Sequence, residues 1–105
     1  MEIEKLGPED FIDYPELLTG LAEECSELAK AALKLHRVIM GKNPTPVGFA
    51  EARMKLHEET ADVQLYLDAM HMNKSVVDRW KRQKRERWME RLREERVKAD
   101  EARGL

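Results

Sequence analysis

The chain has 105 residues, of which 38% are charged and 6% aromatic, and its net charge is −2. This composition favours an all-α protein over a β-sandwich or a disordered tail, and it excludes a polycation built for nucleic acid. We expect a single helical domain over residues 1–105. A chain of this length buries only roughly 60–65% of its unfolded surface, so a lone monomer is expected to be marginally stable.

The single cysteine, Cys25, excludes an intrachain disulfide and a cysteine-based zinc site. It lies on a predicted apolar face, which favours a small buried side chain over a reactive thiol. The N-terminus is acidic and lacks the apolar stretch of a signal peptide. No apolar run approaches the length of about 18 residues that would span a membrane. We therefore expect a cytoplasmic protein with no membrane partner.

The first long helix is predicted from about Tyr14 to Met40. Asp13 precedes it as a helix cap, and Glu16 completes a capping-box spacing. Gly20 weakens the helix by about 1 kcal/mol and marks either a kink or a close approach of another helix. Gly41 ends it. The predicted apolar stripe is Leu21, Cys25, Leu28, Ala32, Leu35 and Ile39.

Two further helices follow the Gly/Pro-rich loop 41–48. The second is predicted from about Phe49 to Met72. Ser75, with Asp78 at the capping-box position, is predicted to cap a third helix that continues to about Ala102. The predicted apolar stripe of the second helix is Leu56, Thr60, Val63, Leu67 and Met70. Such one-sided stripes predict an antiparallel bundle of three main helices.

Two pairs of acidic residues lie at the same angular position relative to these stripes. When the first leucine of each stripe is set to zero, the first acid lies at about 300° and the second at about 240°. The shared position predicts that the four carboxylates converge at the edge of the core if the stripes pack together. The pairs are Glu24 with Glu27 and Glu59 with Asp62.

Four converging carboxylates repel one another unless a cation lies between them. Mg²⁺ prefers oxygen ligands and commonly binds one or two carboxylates together with phosphate oxygens and water. The pattern therefore indicates a divalent metal site. The alternative is that these spacings arise by chance among 21 acidic residues and lie on solvated faces. Glu23 and Glu58, at about 200° on the same scale, point further towards solvent.

Basic residues interrupt the apolar stripe of the third helix. With Val77 at zero, Lys84 lies near 340° and Arg87 near 280°. Lys and Arg match phosphate oxygens, so both residues are candidates for holding phosphates near the acidic site. A snorkelling side chain is the alternative for Lys84. Trp80 and Trp88 are interpreted as anchors of the core or of a dimer interface.

The acidic segments Leu21–Leu28 and Glu58–Val63 resemble the paired EExxE and ExxD signature of the MazG-like nucleotide pyrophosphohydrolases. This is the all-α NTP pyrophosphatase superfamily, and its small, phage-like members also carry a basic KxxR segment that resembles Lys84–Trp88. The resemblance covers about residues 17–92. It implies hydrolysis of a (deoxy)nucleoside triphosphate to the monophosphate and pyrophosphate, in a homodimer or tetramer whose paired helices complete each site.

The resemblance also implies roles for individual residues. Mg²⁺, with Mn²⁺ as an alternative, is the expected cofactor, and Glu23 is the candidate for orienting the attacking water. The implied metal ligands are Glu24, Glu27, Glu59 and Asp62, and the implied substrate-binding residues are Lys84 and Arg87.

Two functions of other classes stay open. One is a non-catalytic helical oligomerisation or interaction module, which the many charges of the third helix favour. The other is a nucleic-acid binder that uses the same helix, where residues 78–105 hold 11 Lys/Arg against 7 Asp/Glu. The acidic residues interspersed in that helix and the overall charge of −2 argue against nucleic acid.

Overall fold

A computed structural model describes residues 2–41 and 47–105. Those residues form three long helices, α1 (Tyr14–Ile39), α2 (Phe49–Ala69) and α3 (Lys74–Ala102), and they contain no strand. Two 3₁₀ turns, Ile3–Lys5 and Pro8–Asp10, precede α1. The all-α fold class is therefore confirmed. Residues 42–46 of the predicted Gly/Pro-rich loop lie outside the described part of the chain.

The ends of α1 follow the predicted chemistry. The Asp13 side chain accepts a hydrogen bond from the Glu16 backbone N–H at 2.9 Å, which satisfies a donor that the first helical turn leaves free. Gly41 follows the last turn with a φ of 69°, a left-handed conformation that glycine adopts without a steric penalty. These two signals set the ends of α1 within one residue of the prediction.

The predicted ends of the other helices need correction. Helix α2 ends at Ala69, three residues before the predicted Met72, and His71 follows with a φ of 50°. The cap of α3 is Asn73, whose side-chain oxygen accepts from the Val76 backbone N–H at 3.1 Å. Ser75 was the predicted cap, but it lies inside the first turn, where its hydroxyl donates to the same Asn73 oxygen.

Contacts divide the chain into two compact units, one ending at His71 and one beginning at Met72. In the first unit α1 packs against α2. A small cluster of buried side chains, Leu17, Ala69 and Met70, lies at one end of this helix pair. Ile12 and Tyr66 are partly buried against it. The first unit therefore supplies the only part of the described chain in which apolar side chains form a buried cluster.

At Gly20 the backbone of α1 lies directly against the Tyr66 ring of α2. Gly20 is buried, and a Cβ atom placed on it would overlap the ring of Tyr66. The prediction that Gly20 marks a close helix approach is therefore confirmed. The missing side chain lets the two helices come close enough for acidic residues one turn further along α1 to reach α2.

The buried face of α1 is rotated by about 50° from the predicted stripe. Cys25 and Ala32 are exposed, and Ile39 is exposed as well, so the prediction of a buried Cys25 is wrong. In each case the residue immediately before the exposed one lies on the packed face instead. The face consists of Leu17, Gly20, Leu21, Glu24, Leu28, Ala31, Leu35 and Val38. Small residues and a glutamate were thus part of the packed face, although the apolar pattern had excluded them.

Helix α3, which the structure describes throughout, has no buried side chain within its unit. Trp80 is 48% exposed and Trp88 is 59% exposed. The interpretation of the tryptophans as core residues is therefore wrong for the single chain, and the interface interpretation stays a prediction. None of the described helices has the length and apolar character needed to cross a lipid bilayer.

Candidate metal centre

Two glutamates occupy the middle of the packed helix faces rather than their shoulders. Glu24 is half-buried in the α1 face, between Leu21 and Leu28 along the helix. Glu59 is buried in the α2 face, and its side chain is only 7% exposed. Both acids lie at about 300° on the ideal-helix scale, and the buried and half-buried positions of each helix centre near the same angle. Helix packing therefore carries these carboxylates into the contact between α1 and α2.

Glu24, Glu59 and Asp62 form one cluster of carboxylates. Each offers an oxygen atom, and these atoms all lie within 4.8 Å of one another. Glu24 comes from α1, whereas Glu59 and the half-buried Asp62 come from successive turns of α2. In the described residues no histidine or cysteine joins this group. The structure thus brings together three of the four predicted ligands.

The cluster destabilises the charge on Glu24. Burial raises the pKa of this carboxyl above its ordinary range, and the neighbouring charges of Asp62 and Glu59 raise it further. Glu27 and Glu23 add smaller contributions in the same direction. This is the electrostatic condition that a bound divalent cation relieves, because the cation favours the ionised form of every carboxylate around it.

Lys55 is a member of the site that the sequence analysis missed. Its Nζ lies 3.0 Å from Glu59 Oε1 and 3.5 Å from Glu58 Oε1. Hydrogen bonding to Glu59 and the charges of both glutamates raise the pKa of Lys55, so it stays an ammonium at neutral pH. The spacing of four residues between Lys55 and Glu59 was the available signal, since such residues are neighbours on a helix surface.

The other predicted site residues lie outside this cluster. Glu27 is exposed, and its Oε1 pairs with Lys30 Nζ at 3.2 Å. Glu23 is exposed on the same helix. Lys84 and Arg87 are exposed on α3, in the unit that begins at Met72. Their roles stay predictions.

The donors fit Mg²⁺ or Mn²⁺ by their chemistry. All three are carboxylates, the oxygen donors that hard divalent cations prefer. In an octahedral Mg²⁺ site with bonds of about 2.1 Å, ligand oxygens lie about 3 to 4 Å apart. Oxygens within 4.8 Å of one another need only a small contraction to reach that spacing. Asp62 and Glu24 are half-buried, so their side chains have room for such adjustments.

No protein-family model matches the chain, and no curated protein or solved structure matches it either. The resemblance of the segments around Glu24 and Glu59 to the MazG-like signature is therefore carried by those residues alone. The activity that the resemblance implies stays a prediction.

Proposed function

We propose that this protein is a Mg²⁺-dependent nucleoside triphosphate pyrophosphohydrolase of the all-α, MazG-like type. The observation that supports this proposal most is the meeting of Glu24, Glu59 and Asp62 within 4.8 Å at the packed face of α1 and α2. A buried carboxylate beside two others is costly for stability unless the site has a cationic ligand to bind. In the single chain Lys55 supplies one positive charge beside the three carboxylates, and a bound divalent cation would relieve the repulsion that remains among them.

In this proposal the three clustered carboxylates hold the cation. Glu27 is the fourth ligand, and it reaches the site by leaving Lys30, an exposed ion pair of the kind that is worth only about 0–1 kcal/mol. When bound, the metal supplies charge neutralisation to the phosphate oxygens and lowers the pKa of coordinated water. Mn²⁺ has the same preference for oxygen ligands and is the alternative cation.

The reaction adds water across the anhydride between the α- and β-phosphates, which gives a nucleoside monophosphate, pyrophosphate and a proton. Glu23, next to the ligand Glu24 and exposed to solvent, accepts a hydrogen bond from the attacking water and orients it. Lys84 and Arg87 donate to phosphate oxygens and stabilise their charge. Both side chains are exposed to solvent, so no buried packing restricts their movement towards a phosphate.

The proposal includes a cytoplasmic homodimer or tetramer, in which antiparallel helices of different subunits complete the bundle. It is supported by the large apolar side chains that stay more than 40% exposed in the single chain, among them Trp80 and Trp88 of α3. A small isolated core seldom gives more than about 3–5 kcal/mol of stability, so covering these side chains would add substantially.

The decisive experiment incubates the purified protein with each common NTP and dNTP in the presence of Mg²⁺. Pyrophosphate and the monophosphate should appear in equal amounts from at least one nucleotide, and chelation should stop the reaction. Sedimentation of the same preparation should show a dimer or larger species.

The rival is a non-catalytic helical interaction module, which the exposed apolar residues of α3 also favour. It predicts an oligomer that releases no pyrophosphate from any nucleotide and gains no thermal stability from Mg²⁺. That combination of results would reject the enzyme and retain the module.

A further inference from the structure

Lys55 lies between two consecutive glutamates of very different exposure. Its ammonium is 3.0 Å from Oε1 of Glu59, whose side chain is 7% exposed, and 3.5 Å from Oε1 of Glu58, whose side chain is 64% exposed. The Lys55 side chain itself is 53% exposed. One cation thus contacts both a buried carboxylate of the cluster and a solvated carboxylate outside it.

The buried partner needs this cation when no metal is present. Glu59 is surrounded by the oxygens of Glu24 and Asp62, and an ionised carboxylate in such a place is unfavourable without an opposite charge. A divalent cation bound to the same oxygens would place two positive charges next to the Lys55 ammonium. The ammonium and the metal therefore compete for Glu59.

We propose that Lys55 is an exchangeable counter-ion, which holds Glu59 in the metal-free protein and transfers to Glu58 when a divalent cation occupies the carboxylate cluster. The inference rests on the metal centre of the proposed function and adds a residue pair that sets its cation affinity. Glu58 is already within 3.5 Å, so the transfer needs only a rotation of a half-exposed lysine side chain. The lysine remains charged throughout, so its move from Glu59 to Glu58 transfers no proton.

This arrangement gives the two residues opposite effects on metal affinity. Lys55 weakens it, because its ammonium must be displaced from Glu59. Glu58 strengthens it, because it accepts the displaced ammonium. The effect of Glu58 also depends on the presence of Lys55, which separates the exchange from a simple attraction between Glu58 and the cation.

Isothermal titration calorimetry of the full-length, metal-free protein with Mn²⁺ and Mg²⁺ tests the exchange. Lys55→Met should bind about two- to fivefold more tightly than the unmodified protein, the range expected when one partly exposed ion pair no longer competes. Glu58→Gln should bind about two- to threefold more weakly, but in the Lys55→Met background it should have no effect on the affinity.

Lys5→Met and Glu2→Gln are the matched controls. The Lys5 Nζ lies 3.4 Å from Glu2 Oε2, and this exposed ion pair is not part of the carboxylate cluster. Each removes the same charge, and each should leave the affinity unchanged. Lys55→Gln repeats the test if Lys55→Met fails to fold by circular dichroism. As a readout on the unmodified protein, the NMR signals of the Lys55 side chain should shift when Mg²⁺ is added.

The outcomes separate the two proposals. If the protein binds the cations but Lys55→Met matches Lys5→Met, or if Glu58→Gln weakens binding equally with and without Lys55, the exchange is rejected and the metal centre stands. If neither the protein nor any Lys55 variant binds a cation, the metal centre is rejected and the exchange with it. Binding by Lys55→Met alone would support both.

Discussion

The two acidic segments of this protein have nearly the same sequence pattern but different structures. In α1, Glu24 enters the carboxylate cluster, whereas Glu27 stays exposed and pairs with Lys30 at 3.2 Å. In α2, Glu59 and Asp62 both enter it. Spacing alone therefore does not decide which carboxylates converge.

The two segments also differ in the lysine that pairs with their acids. In both helices the first acid lies at the middle of the packed face and the second about 60° further round. Lys30, one turn after Glu27, pairs with that carboxylate on the solvent side of α1. In α2 the lysine lies on the other side of the pair: Lys55 is one turn before Glu59, and Asp62 is a member of the cluster. The lysine beside each segment thus pairs with the second acid in α1 and with the first acid in α2.

Removing one carboxylate from each helix gives the largest expected contrast. Glu59→Gln should lower Mg²⁺-dependent pyrophosphate release by about a hundredfold or more, because metal-ion catalysis supplies several kcal/mol of charge stabilisation. Glu27→Gln should have a smaller effect, since Glu27 must first leave Lys30 to reach the site. Initial rates at saturating nucleotide and a series of Mg²⁺ concentrations measure both.

Glu51→Gln is the control for these variants, because Glu51 is an exposed glutamate in the first turn of α2. It should retain the full rate. Circular dichroism should show the same helix content for all three variants. A larger loss from Glu27→Gln than from Glu59→Gln would contradict the structural difference between the two segments.

The sequence predicted the helices well because their ends have local causes. The Asp13 cap and the left-handed Gly41 depend only on neighbouring residues, and the all-α class follows from composition and periodicity. The cap of α3 was harder to predict, because Asn73 and Ser75 are both good capping residues and lie only two positions apart.

The packed face of α1 was misplaced because the apolar pattern passes over charged positions, whereas every predicted stripe residue of α2 is buried or half-buried. Glu24 and Glu59 lie at the middle of the packed faces of α1 and α2, so stripes that left out both acids were centred to one side of them. Small residues such as Gly20 and Ala31 carry no strong apolar signal, although both are buried. A local pattern is least reliable where a site places charged residues in a core.

The close approach at Gly20 offers a way to disturb the cluster without changing any charge. Gly20→Ala should destabilise the protein by about 1–2 kcal/mol, because overlap of the new methyl with the Tyr66 ring outweighs the gain of about 1 kcal/mol in helix propensity. It should also weaken Mg²⁺ binding, because it pushes α1 away from α2. Urea denaturation and calorimetry measure the two effects.

The Tyr66→Leu background provides the control for this substitution. A smaller side chain at position 66 removes the overlap, so Gly20→Ala should then cost less than about 1 kcal/mol or become stabilising. A stabilising effect of Gly20→Ala in the unmodified protein would contradict the prediction, because it would mean that the Tyr66 ring does not pack closely against Gly20.

The pH dependence of stability gives the smallest expected effect, and it isolates Glu24. The pKa of Glu24 is raised by burial and by the Asp62 and Glu59 charges above the ordinary value of 4.5, so the folded metal-free protein binds a proton more readily than the unfolded chain. The resulting stabilisation is complete below that ordinary value and is lost as the pH rises through the raised pKa. Glu9 has the opposite sign, because its own backbone N–H and then His71 lower its pKa, and its contribution is lost at pH below the ordinary range.

Thermal melting of the metal-free protein should therefore show a Tm that falls as the pH rises from the ordinary Glu24 pKa of 4.5 towards neutral pH. Glu24→Gln should remove that part of the slope, because glutamine carries no charge at any pH. Saturating Mg²⁺ should reverse it, since the cation binds the ionised carboxylates and stabilises the folded state more as the pH rises. If Glu24→Gln left the slope unchanged, burial and the charges of Asp62 and Glu59 would not be raising the pKa of Glu24. The reversal of the pH slope by Mg²⁺ should persist in Glu27→Gln and disappear in Glu59→Gln. That result would show that Glu59 contributes more to cation binding than Glu27 does, in agreement with their positions inside and outside the cluster.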